Sequence, residues 1–142
     1  MPLPDRWFRA QPDSSVLQAP RLLARLFVHP DDLDEQIAFY ERALGVACDA
    51  RTPIPDAGID LAMVGNLLLI GNPRQPGEIA LATAFTLLVP SVSAYLSGLE
   101  VTGTEVIEPV STGPSGSRTR VRYADGTLAE VLDFRPLAEE LG

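Results

Sequence analysis

Apolar positions recur along this chain in two rhythms, one alternating and one close to helical, and the rhythms succeed each other in a fixed order. "RLLARLFV", residues 21–28, is a short aliphatic and aromatic run that stops at His29-Pro30; proline favours an extended residue before it, so the run predicts a strand ending in a turn. "DDLDEQIAFYERALG" then places Leu33, Ile37, Tyr40 and Leu44 on one helical face, with acidic residues in the first turn and Gly45 at the stop. "VACDARTP", "IDLAMVG" and "NLLLIGNP" follow as short apolar runs divided by proline and glycine, the pattern of consecutive antiparallel strands. The first half therefore reads βαβββ.

The second half repeats that order. "TAFTLLVP" predicts a strand, "SVSAYLSGLEV" sets Val92, Tyr95, Leu96 and Leu99 on one helical face, and "TEVIEPV", "SRTRVRY" and "TLAEVLDF" predict three more strands. Laying "LFVHP" over "LLVP" superposes Val28 on Val89 and brings the two helices into step. The boundaries that follow are a proline-rich, irregular arm over 1–19, one domain over 20–136 and a short tail over 137–142. Within the domain, module one is 20–72, a linker 73–80 and module two 81–136. Trp7 and Phe8 are an apolar pair in the arm that gains stability only by docking on a surface.

Composition narrows the function classes. The 142 residues, 46% of them hydrophobic, suffice for one core. A net charge of -8 argues against nucleic acid as a partner, because a polyanion would be repelled at long range. One cysteine, Cys48, forms no intrachain disulfide, and no run has the length of a signal peptide or a membrane span. The expectation is a soluble, cytoplasmic protein.

The duplicated βαβββ pattern, with "DLDEQIAFYERALG" early and "YADGTLAEVLDF" late, resembles the vicinal oxygen chelate superfamily, the group of glyoxalases, bleomycin-resistance proteins and ring-cleaving dioxygenases. The likeness covers roughly residues 20–135. It implies an α+β fold in which the two modules form a cup-shaped mixed sheet, and it implies a homodimer. It further implies that metal-binding members take ligands from the first and last strand of each module. Projected onto this chain, those positions fall on Leu23 or its neighbours Ala24 and Arg25, on Leu69, on Ala84 and on Glu130. Only Glu130 can bind a cation, and one carboxylate does not hold a divalent metal specifically. No metal and no other cofactor is expected. His29, the only histidine, is read as a turn residue.

Glu130 is the candidate catalytic residue. A two-residue turn at Asp125-Gly126 would pair Tyr123 with Leu128 and Val121 with Glu130. That register surrounds Glu130 with Thr119, Val121, Tyr123, Leu128 and Leu132, and it sends Arg118, Arg120 and Arg122 to the other face with Ala129, Val131 and Asp133. Among apolar neighbours the carboxylate would keep a proton available near neutrality; at a solvated rim it would not. A three-residue loop would shift the pairing by one and set Glu130 beside the arginines. Arg25, Phe27, Phe85, Val121 and Tyr123 are the candidate ligand-binding residues, with Arg25 either orienting an anionic group or snorkelling to the rim. These features point to a protein that holds a small, largely apolar or aromatic molecule without a metal. It would act by sequestering that molecule or as a metal-free enzyme with Glu130 as acid or base. The alternative is a metal-dependent lyase, isomerase or dioxygenase with a rearranged ligand set around Glu130.

Overall fold

The structure, a computed structural model, describes residues 3–141. Its strands are β1 (Phe8–Arg9), β2 (Arg21–Val28), β3 (Cys48–Ile54), β4 (Ile59–Val64), β5 (Leu67–Gly71), β6 (Thr83–Leu88), β7 (Glu105–Gly113), β8 (Gly116–Arg122) and β9 (Leu128–Phe134). The helices are α1 (Leu33–Leu44), α2 (Glu78–Ala82), α3 (Val92–Gly98) and α4 (Ala138–Leu141). The expected α+β class and the doubled βαβββ order are both present.

Two compact units divide the chain, and each is discontinuous. One comprises the chain up to Gln11 with Ala24–Gly77; the other comprises Pro12–Leu23 with the chain from Glu78 onward. The boundary therefore falls inside β2.

In the first unit the strand order is β1-β3-β4-β5-β2, antiparallel except for the parallel pairing of β5 with Ala24–Val28. α1 begins with Asp34 and Glu35 in its first turn, where carboxylates complement the helix dipole, and ends at Gly45, whose φ of 69° is the left-handed conformation glycine adopts cheaply. Its buried Leu33 and Ile37 pack on Ala62, Val64 and Leu69, with Leu26, Val28, Tyr40 and Cys48 around them. Each such aliphatic side chain removed from water contributes roughly 1.5–3 kcal/mol. Leu44 shares the helical spacing but is exposed. An ion-pair network closes this side: Arg51 holds Asp60 with two nitrogens (3.1 and 2.8 Å) and Asp34 at 2.9 Å.

The second unit has the order β2-β6-β9-β8-β7, in which Arg21–Leu23 pairs antiparallel with β6 and β6 runs parallel to β9. α3 packs Val92 into a core of Leu87, Val89, Val121, Ala129 and Val131. Ser91 caps its start, accepting the Ala94 N–H at 3.2 Å. Asp133, almost wholly buried, accepts the Val92 N–H and the Ser117 N–H, each at 2.8 Å, and so ties α3 to β8.

The arm is more ordered than its composition suggests. Phe8 and Arg9 form β1 against Arg51 and Ala50, and the Arg9 guanidinium lies 5.2 Å from the Trp7 ring centre. Ser14, buried, donates to the Val89 carbonyl and accepts the Phe134 N–H, both at 2.8 Å. The expected irregular arm is thus a strand and an anchor, because backbone groups flanked by polar side chains still find ladder partners. The end of the expected linker is likewise the start of α2.

Candidate functional site

Three loop residues decide which face Glu130 occupies. Arg122 pairs with Leu128, the Tyr123 N–H donates to the Thr127 carbonyl at 2.9 Å, and Ala124, Asp125 and Gly126 form the loop between them. Gly126 takes a φ of 90°, the left-handed position that such a loop needs next to the returning strand. Asp125 braces the turn by accepting the Thr127 N–H at 2.9 Å.

The expected two-residue turn is therefore incorrect, and the extra residue reverses the parity of β9. Glu130 sits opposite Arg120, with Leu132 opposite Arg118. Val121 and Tyr123, expected beside Glu130, belong instead to the α3 side; Val121 is fully buried in that core, and Phe85 and Tyr123 pack against it. The Phe85 and Tyr123 rings stack at 6.3 Å, and the Tyr123 and Tyr95 hydroxyls are 2.7 Å apart. Burial, reinforced by that hydroxyl contact, raises the Tyr123 pKa far above the ordinary phenol value, so it stays neutral.

Registered pairing sets Leu23, Thr86, Glu130, Arg120 and Glu108 in one row across β2, β6, β9, β8 and β7, on the face away from α3. Around Glu130 the row condenses into a polar network. Arg118 donates to Glu130 Oε2 through Nε (3.3 Å) and Nη2 (2.9 Å), and Thr86 Oγ1 donates to Oε1 at 3.1 Å. Glu108 Oε1 accepts Arg120 Nε at 2.7 Å and Arg118 Nη2 at 3.4 Å. Arg120, nearly buried, donates through Nη1 to Thr83 Oγ1, and Thr83 in turn donates to the Ile79 carbonyl at 2.7 Å. The hydrogen bond from Arg120, with the two guanidinium charges, holds the Glu108 carboxyl below the usual carboxylate range. The exposed flank of the network is apolar: Leu128 and Leu132 share its face and are half-buried.

In the first unit, Arg25 and Phe27 stand opposite Leu68 and Ile70, on the face away from α1. The Arg25 guanidinium is 5.6 Å from the Phe27 ring centre. Leu61 and Met63 continue the two rows on β4. Leu69, matched to Glu130 by laying the two glycine-led strands together, is a fully buried contact of α1 instead. The face-equivalent of the Thr86–Glu130 pair is Arg25–Leu68, because the hairpin joining β4 and β5 lacks the extra loop residue.

The donors do not fit a divalent cation. Glu130 contributes one carboxylate and Thr86 one hydroxyl, while Arg118 already occupies the carboxylate with a fixed positive charge. Among the described residues no three His, Cys, Asp or Glu side chains group to hold a metal ion. His29 accepts the Asp31 N–H at 3.1 Å as a helix cap, and Cys48 Sγ donates to the Ala50 carbonyl at 3.3 Å, with burial raising its pKa. What sequence reading missed is Thr86 and Glu108, while the company of Arg118 and Arg120 is the outcome expected of the three-residue loop. Once the hairpin parity is known, the alternation "SRTRVR" against "LAEVL" carries the signal for the two arginines. No helix among the described residues is long and apolar enough to cross a membrane.

No family model and no curated protein matches the chain. Solved structures do. An uncharacterized protein from Methanosarcina mazei is 33% identical, with 81% of this chain and 92% of that one covered at a TM-score of 0.67. Methylmalonyl-CoA epimerase from Mycobacterium tuberculosis is 20% identical over 81% of this chain and 88% of its own, at a TM-score of 0.58. A variant of the Streptomyces coelicolor methylmalonyl-CoA epimerase in complex with 2-nitronate-propionyl-CoA is 19% identical over 82% and 98%, also at 0.58. The chain belongs to the same family as the Methanosarcina mazei protein, and its fold is the glyoxalase/bleomycin-resistance-like fold.

Proposed function

We propose that the protein binds a small, largely apolar or aromatic molecule on the strand face carrying Leu128, Leu132 and the Arg118–Glu130 pair, without a metal, as a sequestering protein or a metal-free enzyme. The observation that carries this reading is the 2.9 Å contact between Arg118 Nη2 and Glu130 Oε2. Of the chelating positions expected for the fold, one carboxylate remains, and a guanidinium takes the place of a metal ion beside it. Apolar side chains flank the pair, so burying ligand surface against them substitutes for chelation as a source of affinity. Neighbours of the same fold bind acyl-CoA-type molecules, which supports a small organic ligand as the class. In this reading Glu130 anchors Arg118. To act as a base it would have to give up that partner and stand opposite Arg120. A homodimer belongs to the same reading and is checked by light scattering.

The test is a titration of protein, purified without chelators, with the neutral fluorophore N-phenyl-1-naphthylamine, alongside elemental analysis. Saturable binding that is indifferent to EDTA is expected. Stoichiometric zinc, manganese or cobalt, with binding lost on its removal, would establish the metal-dependent alternative instead.

A further inference from the structure

Arg118 and Glu108 are the more exposed members of the network, and each keeps one polar atom outside its hydrogen bonds. Arg118 commits Nε and Nη2 to Glu130 and Glu108, while its Nη1 has no hydrogen-bond partner among the described residues. Glu108 receives both of its arginine bonds on Oε1, and its Oε2 has no partner among the described residues. Both side chains keep about two-fifths of their surface exposed, 42% for Arg118 and 39% for Glu108. Leu132 stands directly opposite Arg118.

Charge then selects the ligand. Arg118 and Arg120 are balanced by Glu108 and Glu130. A carboxylate approaching Arg118 Nη1 meets the negative Glu108 in the same patch, and an ammonium approaching Glu108 Oε2 meets Arg118. Either would lose hydration for little net attraction. A neutral group offering a carbonyl oxygen beside an N–H satisfies both open positions with no charge to desolvate.

Resting on the reading that this face takes the ligand, we infer that the polar end of the ligand is a neutral amide-like edge, such as a carboxamide or lactam, with its carbonyl on Arg118 Nη1 and its N–H on Glu108 Oε2. The apolar body would lie over Leu132 and Leu128.

The experiment displaces N-phenyl-1-naphthylamine with three probes of similar shape at pH 7: 2-naphthamide, 2-naphthoate and 2-(aminomethyl)naphthalene. The amide is expected to bind about 10-fold more tightly than either charged probe. Glu108→Gln makes the cluster net positive and should move the preference toward naphthoate. Arg118→Lys keeps the charge and the Glu130 partner but loses the planar fork, so the amide advantage should shrink with little effect on folding. Naphthoate binding as tightly as the amide in the unaltered protein overturns the inference and leaves the binding reading standing. The same holds for an unchanged ratio in Arg118→Lys. Failure of the fluorophore itself to bind overturns the binding reading and this inference with it.

Discussion

Arg118 and Glu130 are joined by two guanidinium nitrogens on one carboxylate oxygen, and the Glu130 side chain is only 14% exposed. Removing that charge leaves the partly exposed Arg118 guanidinium short of its counter-ion and sets an uncharged amide in the nearly buried position of the carboxylate. Glu130→Gln should therefore lower stability by about 1–3 kcal/mol, measured by thermal or urea unfolding. A glutamate among apolar neighbours would behave oppositely, its amide being neutral or stabilising. Unchanged or increased stability would refute the ion-pair role.

The Glu108 carboxyl titrates below its ordinary range because Arg120 and Arg118 favour the charged form. Its folded pKa lies under its unfolded one, so its contribution is fully present above about pH 4.3 to 5 and is lost as pH falls through the folded value. Unfolding free energy measured from pH 7 down to pH 3 should fall less steeply in Glu108→Gln than in the unaltered protein. Parallel curves would show that the contact contributes nothing in solution.

Asp133 serves two buried backbone donors at once. Asp133→Ala should leave the Val92 and Ser117 N–H groups unpaired and cost about 2–4 kcal/mol. Amide exchange should accelerate first at the start of α3.

Tyr123 keeps its proton into strongly alkaline solution because burial and the Tyr95 hydroxyl oppose the phenolate. A folded pKa above the unfolded one means stability present below about pH 10 and lost as pH rises toward the folded value. The tyrosinate absorbance change up to pH 11 should be the same in Tyr123→Phe as in the unaltered protein, since this residue adds nothing to it while the fold persists. A loss of amplitude in the variant would contradict the buried placement.

Much of the fold was legible because local signals agreed with it. Acidic residues opening α1 and Gly45 closing it, the proline after β2, and the presence of a turn at Asp125 and Gly126, though one residue longer than expected, lie where their chemistry places them. The site was less legible for a definable reason. "ADG" suits a two-residue or a three-residue loop, and that single residue moves Glu130 from the company of Val121 and Tyr123 to that of Arg118 and Arg120. Thr86 and Glu108 were invisible because their importance depends on registers fixed by non-local pairing. The order in the arm had the same cause, since Phe8 and Arg9 become a strand only through β3.

The split within β2 governs how this chain can be cut. A fragment beginning at Glu78 contains the whole of the second βαβββ repeat yet lacks Arg21–Leu23 and Ser14. Its β6 would show the backbone of Thr86, Leu87 and Leu88 as an open, adhesive border, the kind that recruits strands from other molecules. The second repeat written in the sequence is consequently smaller than the compact unit, which also takes in Pro12–Leu23. Expression of the halves as freestanding proteins should yield aggregates unless residues 12–23 travel with the second half, and any gene fusion or circular permutation of this protein has to respect that debt across the linker.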